Sequence, residues 1–194
     1  MGGIHTATAE LYRLFSLANR DLWEGKLPTP QITIQTGKQG ILGWCTVEKV
    51  WTGTEDRYEI NIVAEHLSRG IFDTACTLLH EMVHLGNMAA GIRDTSGFQY
   101  HNRRFERAAL AIGLLVEQIP RYGFARTTIG PRLREWLGDR PLDPDAFGLY
   151  RKASTSPRGS KTKQKKWSCG CTNVRCAVEL HAVCTACDQP FALA

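Results

Sequence analysis

No run of apolar residues in this chain approaches the ~18 that a membrane-spanning helix needs, so a membrane protein is excluded as a reading. The opening residues, Met1 to Ala7, lack both the basic stretch and the apolar stretch of a secretion signal, and the expected compartment is the cytoplasm. No internal repeat is evident. An even set of cysteines is also missing: there are seven, and five of them crowd between Cys169 and Cys187. That is a poor arrangement for disulfides and a good one for a metal, because thiolates in a reducing compartment bind zinc rather than one another.

What is present is a globular composition, 43% hydrophobic and 22% charged over 194 residues. Single domains cluster at ~100 to 150 residues, so one main domain and a small accessory module are expected. The charge is divided unevenly. Residues 1–150 hold 16 Lys+Arg against 17 Asp+Glu, whereas residues 151–194 hold 8 against 2. All of the net positive charge therefore lies in the tail, which suits it to phosphate.

Apolar spacing over 7–23 predicts an opening amphipathic helix. Residues 31–36 alternate as a strand, and 41–51 with 58–63 read as a hairpin around the turn Gly53 to Asp56. Helices are expected over about 70–90 and 102–115, the second with Phe105, Ala108, Ala109 and Ile112 inward, and a loop at 91–100 joins them. Residues 119–150, interrupted by four prolines around a short helical stretch at 133–137, read as an irregular extension of the main domain. Residues 152–166 carry six Lys+Arg and no acid or large apolar residue, which makes a flexible basic linker. The expected domains are thus 1–150 (core 8–118), a linker at 151–166 and a module at 167–194.

The chemistry concentrates in His80-Glu81-Met82-Val83-His84. Two imidazoles at i and i+4 share one helical face and can hold one ion, while Glu81, about 100° round the helix, can reach a water on that ion. Ala75, Leu78, Met82, Leu85 and Ala89 fall opposite the histidines, so one side of the helix anchors and the other presents ligands. Glu81 is the expected general base. A catalytic zinc needs a third protein ligand and an open position for water. His101, at the start of the next helix, is favoured over Glu106, which lies a turn and a half further on. A metzincin would need a glycine at position 87 and a histidine at position 90, where this chain has Asn87 and Ala90. Cys76 is read as a buried structural thiol in preference to a neighbour of the metal. Neither Tyr100 nor Arg103 can be assigned as an oxyanion donor from sequence. His5 is placed in a disordered terminus, His66 at the surface, Trp44 and Cys45 in strand packing and Trp136 as a packing anchor.

In the tail, Cys169-Gly170-Cys171 and Cys184-Thr185-Ala186-Cys187 provide two ligand pairs for a closed, structural zinc, with Cys176 and His181 as possible substitutes. Binding the ion folds a segment too small to be stable alone. Lys161, Lys163, Lys165, Lys166 and Arg175 are the expected phosphate contacts, with Trp167 as a stacking ring.

The run from Thr77 to His84, then Tyr100-His101-Asn102-Arg103-Arg104-Phe105, then the cysteine ribbon, resembles the SprT-like family, which includes the Spartan proteases. Leu42-Gly43-Trp44, Trp51 and Ile60-Asn61-Ile62 are similar to its strand region, so the resemblance covers roughly 8–118 and 167–192. It implies an α+β fold, a zincin-like metalloprotease domain with a small sheet packed on the His-Glu-x-x-His helix, followed by a zinc ribbon. It also implies His101 as third ligand and, as in Spartan-like members, cleavage of proteins attached to DNA. The leading expectation is a zinc metalloendopeptidase with one catalytic and one structural Zn2+, acting in the cytoplasm, in association with DNA. Two alternatives stay open: a zinc-stabilised adaptor for nucleic acid or the transcription machinery, and a zinc hydrolase acting on a small amide.

Overall fold

The computed structural model describes residues 2–153 and 164–194. Lys161 and Lys163, two of the expected phosphate contacts, lie outside the described residues. The chain divides into two compact units, Met1–Ala153 and Ser154–Ala194, and both helices and small sheets are present. Among the described residues, no helix is long and apolar enough to cross a membrane.

The first unit opens with α1 (Ile4–Trp23), which buries Leu11, Leu14, Phe15 and Ala18. His5 lies within this helix, not in a disordered terminus, because the helix starts just after Gly3, whose N–H donates to Thr6 Oγ1 at 3.3 Å. Three strands follow: β1 (Gln31–Gln35), β2 (Gly43–Cys45) and β3 (Glu59–Val63). The expected hairpin is the antiparallel pair β2 and β3, in which Cys45 faces Ile60 and Gly43 faces Ile62. β1 runs parallel to β3 on its other side, setting Ile32 beside Ile60 and Ile34 beside Ile62. These isoleucines join the core between the sheet and the helices.

Helix α2 (Ile71–Ala89) is more enclosed than its two-faced pattern implies. Thr74, Thr77, Leu79, Glu81, Val83 and Asn87 are buried along with Ala75, Leu78, Met82 and Leu85, while Ala89 at its end is exposed. The reason is that β2 covers Thr77 and Glu81 on one side and a second sheet packs on the side that the sequence pattern leaves open. β4 (Thr95–Ser96), β5 (Tyr100–His101), β7 (Gly123–Ile129) and β6 (Leu114–Ile119) form it in that spatial order.

This sheet corrects two expectations. Helix α3 (Arg103–Ala111) stops short of residue 115, and Leu114 and Leu115 start a strand. Ile119 ends β6, and residues 123–129 are the return arm of a β6–β7 hairpin and not irregular chain. Burial alternates along β7, but its inward positions include Ala125 and Thr127, and a register shift between Glu117 and Ile119 leaves Glu117 and Gln118 both exposed, so the chain shows no apolar period of two. α4 (Pro131–Gly138) then packs Leu133 and Leu137 into the core. Trp136 Nε1 and Arg140 both donate to Asp21, at 3.0 and 2.9 Å, and tie α4 to α1.

The second unit has a three-stranded antiparallel sheet, with β8 (Lys165–Ser168) between β9 (Asn173–Cys176) and β10 (Ala192–Leu193). Trp167 is only 8% exposed, so it offers no free ring for a base to stack on.

Candidate metal centre

Three imidazoles meet at one point. His80 and His84 leave α2 one turn apart, and His101 arrives from β5, which pairs with Gly123 at the start of β7. His101 Nε2 lies 3.1 Å from His80 Nε2 and 3.1 Å from His84 Nε2. A metal bonded to nitrogens at about 2.0–2.1 Å in tetrahedral geometry would hold them about 3.4 Å apart. The described residues thus place the donor atoms nearly as a single ion requires. Glu106, the rival third ligand, is outside the group and pairs with Arg103 at 3.1 Å.

Each ring's other nitrogen is held from behind. His80 Nδ1 is 3.0 Å from Thr127 Oγ1 on β7, His84 Nδ1 is 2.8 Å from Asp94 Oδ2, and His101 Nδ1 is 3.0 Å from the Gln99 carbonyl. Such contacts fix the ring orientation and keep Nε2 free to bind. Asp94 is itself buried and also accepts from Asn87 Nδ2 at 2.9 Å. Beneath the cluster lies Phe105 of α3, fully buried, with its ring 4.6, 4.6 and 4.7 Å from the three imidazole centroids. A rigid apolar floor limits how far any one ring can tilt.

The electrostatics follow from this burial. His80 is driven well below its ordinary value by desolvation, with the neighbouring His84 and His101 adding to the effect, and His101 falls to about 4 for the same leading reason. His84 is also desolvated, yet the hydrogen bond and charge of Asp94 outweigh that and raise it. Burial pushes the Glu81 carboxyl up to about 7; the nearby His84 and a hydrogen bond from the Cys45 N–H oppose the rise. β2 comes this close to α2 because residue 43 is glycine. A Cβ there would stand 2.8 Å from the Asn61 carbonyl oxygen and 3.3 Å from Glu81 Oε1.

The cluster opens onto a cavity of about 1470 Å3. Its floor follows α2 from Asp73 past His80 and His84 to Met88, and its walls are residues 36–45 on one side and 125–129 on the other. Cys76 lines it too, with Sγ 3.5 Å from the Thr127 carbonyl, and its thiol is raised chiefly by burial. Tyr100 and Arg103 do not line it. The Tyr100 hydroxyl accepts from Gln118, and the Arg103 guanidinium lies 5.1 Å over the Phe124 ring. The residues that sequence reasoning missed are Asp94 and Thr127. Asp94, ten residues after His84, carries a detectable signal as the one acid in the 91–100 loop; Thr127 carries none.

In the second unit, Cys169, Cys171, Cys184 and Cys187 bring their sulfurs within 4.8 Å of one another. Cys171 Sγ lies 3.3 Å from Cys169, 3.6 Å from Cys184 and 3.2 Å from Cys187. These separations are too long for S–S bonds and approach the edge of about 3.8 Å expected for thiolates around one tetrahedral ion. Cys176 stands apart, bonded to the Val178 carbonyl, and neither it nor His181 belongs to the group. Lys165, Lys166 and Arg175 are exposed on β8 and β9, with Lys166 directly opposite Arg175. Like charges so paired repel, and an anion relieves the cost.

Among the described residues there are therefore two groups able to hold metal ions, one of three histidines and one of four cysteines. Comparison with family models, with curated proteins and with solved structures finds no match.

Proposed function

We propose that this chain is a zinc-dependent metalloendopeptidase of the SprT-like type, with a zincin-like first unit and a zinc ribbon behind it, acting on proteins on or near DNA. The observation that carries the proposal is the convergence of three Nε2 atoms, each backed by a hydrogen bond on Nδ1, beside the buried carboxylate of Glu81. Three neutral imidazoles with an open fourth position suit a catalytic zinc, and four thiolates suit a structural one.

Zinc held by His80, His84 and His101 would supply Lewis acidity toward water and toward the scissile carbonyl. The chain's own residues do the rest. Glu81, buried beside the three imidazoles and accepting from the Cys45 N–H, takes the proton of the attacking water and delivers it to the leaving nitrogen. The cavity favours a polypeptide over a small amide, because about 1470 Å3 exceeds the ~300–1,000 Å3 typical of small-molecule sites. The exposed cations Lys165, Lys166 and Arg175 favour DNA as the setting.

The test is cleavage of a protein cross-linked to DNA, and self-cleavage with DNA, by the zinc-loaded full chain. Glu81→Gln is expected to retain both metals and lose cleavage by at least ~100-fold. Equal activity in that variant would overturn the mechanism. Absence of turnover in the wild type under every DNA condition would favour the adaptor.

A further inference from the structure

The near-neutral balance of residues 1–150 conceals a second segregation of charge. Residues 91–134 hold eight Lys+Arg against three Asp+Glu, and the acids on either side leave the rest of that stretch negative. All three acids of 91–134 are engaged: Asp94 with His84, Glu106 with Arg103 and Glu117 with Arg126. Arg93, Arg104 and Arg107 are exposed, with no carboxylate within 4.0 Å among the described residues.

Arg93 and Arg104 are brought together, beside Arg103, whose guanidinium is paired with Glu106. A cavity of about 520 Å3 is lined by Arg93, Thr95, Ser96, Asn102, Arg103 and Arg104. Backbone contacts fix the spacing. Asn102 donates its N–H to the Asp94 carbonyl at 2.9 Å and its Nδ2 to the Arg93 carbonyl at 3.1 Å, while Arg104 N–H donates to Asn102 Oδ1 at 2.7 Å. Asn102 thus already caps α3, so an anion here would be held by guanidinium groups and the two hydroxyls. Arg93 lines this cavity and the large one containing His80, His84 and His101. The two sites share a rim.

We propose that Arg93 and Arg104, with Thr95 and Ser96 beside them, form a phosphate-binding surface that holds the backbone of a nucleic acid at the edge of the metal-site cavity. Guanidinium groups take phosphate oxygens bidentately, and Thr95 and Ser96 add neutral donors. Among the described residues the lining side chains are arginine, threonine, serine and asparagine, whose donors match the oxygens of a phosphate backbone. Arg107, one turn further along α3, extends the charge in the manner of a repeating polyanion and not of a single ion. The surface belongs to the first unit, whereas Lys165, Lys166 and Arg175 belong to the second. It also sits on the segment carrying both Asp94 and His101, so nucleic acid bound there lies against the loop that orders two of the three metal ligands.

The experiment measures binding alone, and so does not depend on the proposed protease activity; loss of cleavage would leave it standing, and its failure would leave the metal centre intact. The full zinc-loaded chain is titrated against a fluorescent single strand and a duplex of the same sequence over a range of salt concentrations. Arg93→Gln with Arg104→Gln is expected to weaken binding at least about tenfold at low salt. It is also expected to make the slope of log K against log salt shallower by about 1 to 2, the amount for one or two lost phosphate contacts. Arg93→Lys with Arg104→Lys is expected to restore the slope, since charge is retained, and only part of the affinity, since the bidentate contacts are lost. Neutralising Lys165, Lys166 and Arg175 is expected to give a further, additive loss. Unchanged slope and affinity in the Gln pair overturn the proposal, as does failure of the Lys pair to restore the slope. So does a Gln pair that loses affinity for a poly-glutamate peptide but not for either oligonucleotide.

Discussion

Glu81 is buried to 6% exposure, and among its neighbours Asp94 raises its proton affinity further while His84 lowers it. Its folded-state value of about 7 lies above the ordinary 4.5, so folding favours the protonated form. That contribution is complete below pH 4.5 and disappears as pH rises through 7, about 3 kcal/mol in all. In the chelated, metal-free protein, Glu81→Gln is therefore expected to be more stable than wild type near pH 8 by about 3 kcal/mol relative to their difference near pH 4.5. Urea midpoints at the two pH values measure this, and a pH-independent difference would show that the carboxylate is not strained by burial. Asp94 acts through His84. Asp94→Asn keeps the shape of the side chain but removes the charge facing Nδ1, and zinc affinity at the histidine site is expected to fall about 10–100-fold in competition with a chromophoric chelator. An unchanged affinity would assign Asp94 to packing.

Among the elements, the β5–β7 pairing decides whether His101 reaches the other two histidines. Gly123 has φ +66, and a Cβ there would stand 2.1 Å from the His101 carbonyl oxygen. Gly123→Ala is expected to push β5 off β7, destabilise the first unit by more than about 2 kcal/mol and reduce zinc from two ions per chain to one. Metal analysis that still finds two would place His101 by its own loop instead. Helix α2 was legible because its apolar residues and histidines repeat with helical spacing. The hairpin that covers it was not, since β7 turns Ala125 and Thr127 inward and β6 breaks its alternation between Glu117 and Ile119, and their identity as strands comes from pairing with each other.

For the molecule as a whole, the apolar core of the first unit is built from residues between Ala7 and Phe147. A chain ending at Ala153 is therefore expected to fold, to bind one zinc and to unfold cooperatively with a stability within roughly 0.5 kcal/mol of that unit in the full protein. Failure of the shortened chain to fold would make the second unit part of its stability. The second unit has only three short strands, so chelation is expected to unfold residues 164–194 first, seen as loss of amide protection there while α1 and α2 remain protected.

Local chemistry determined much of this protein in advance. The i, i+4 histidines, the adjacent glutamate and the two cysteine pairs are relations between near neighbours in the chain, and helical or turn geometry alone brings such atoms together. Only the tertiary structure decided that Phe105 would lie under all three imidazoles, that Thr127 would back His80 across 47 residues, and that Arg93 would meet Arg103 and Arg104. Those meetings depend on how two sheets enclose α2. No local period in the chain encodes a contact whose partners are set by the packing of separate elements.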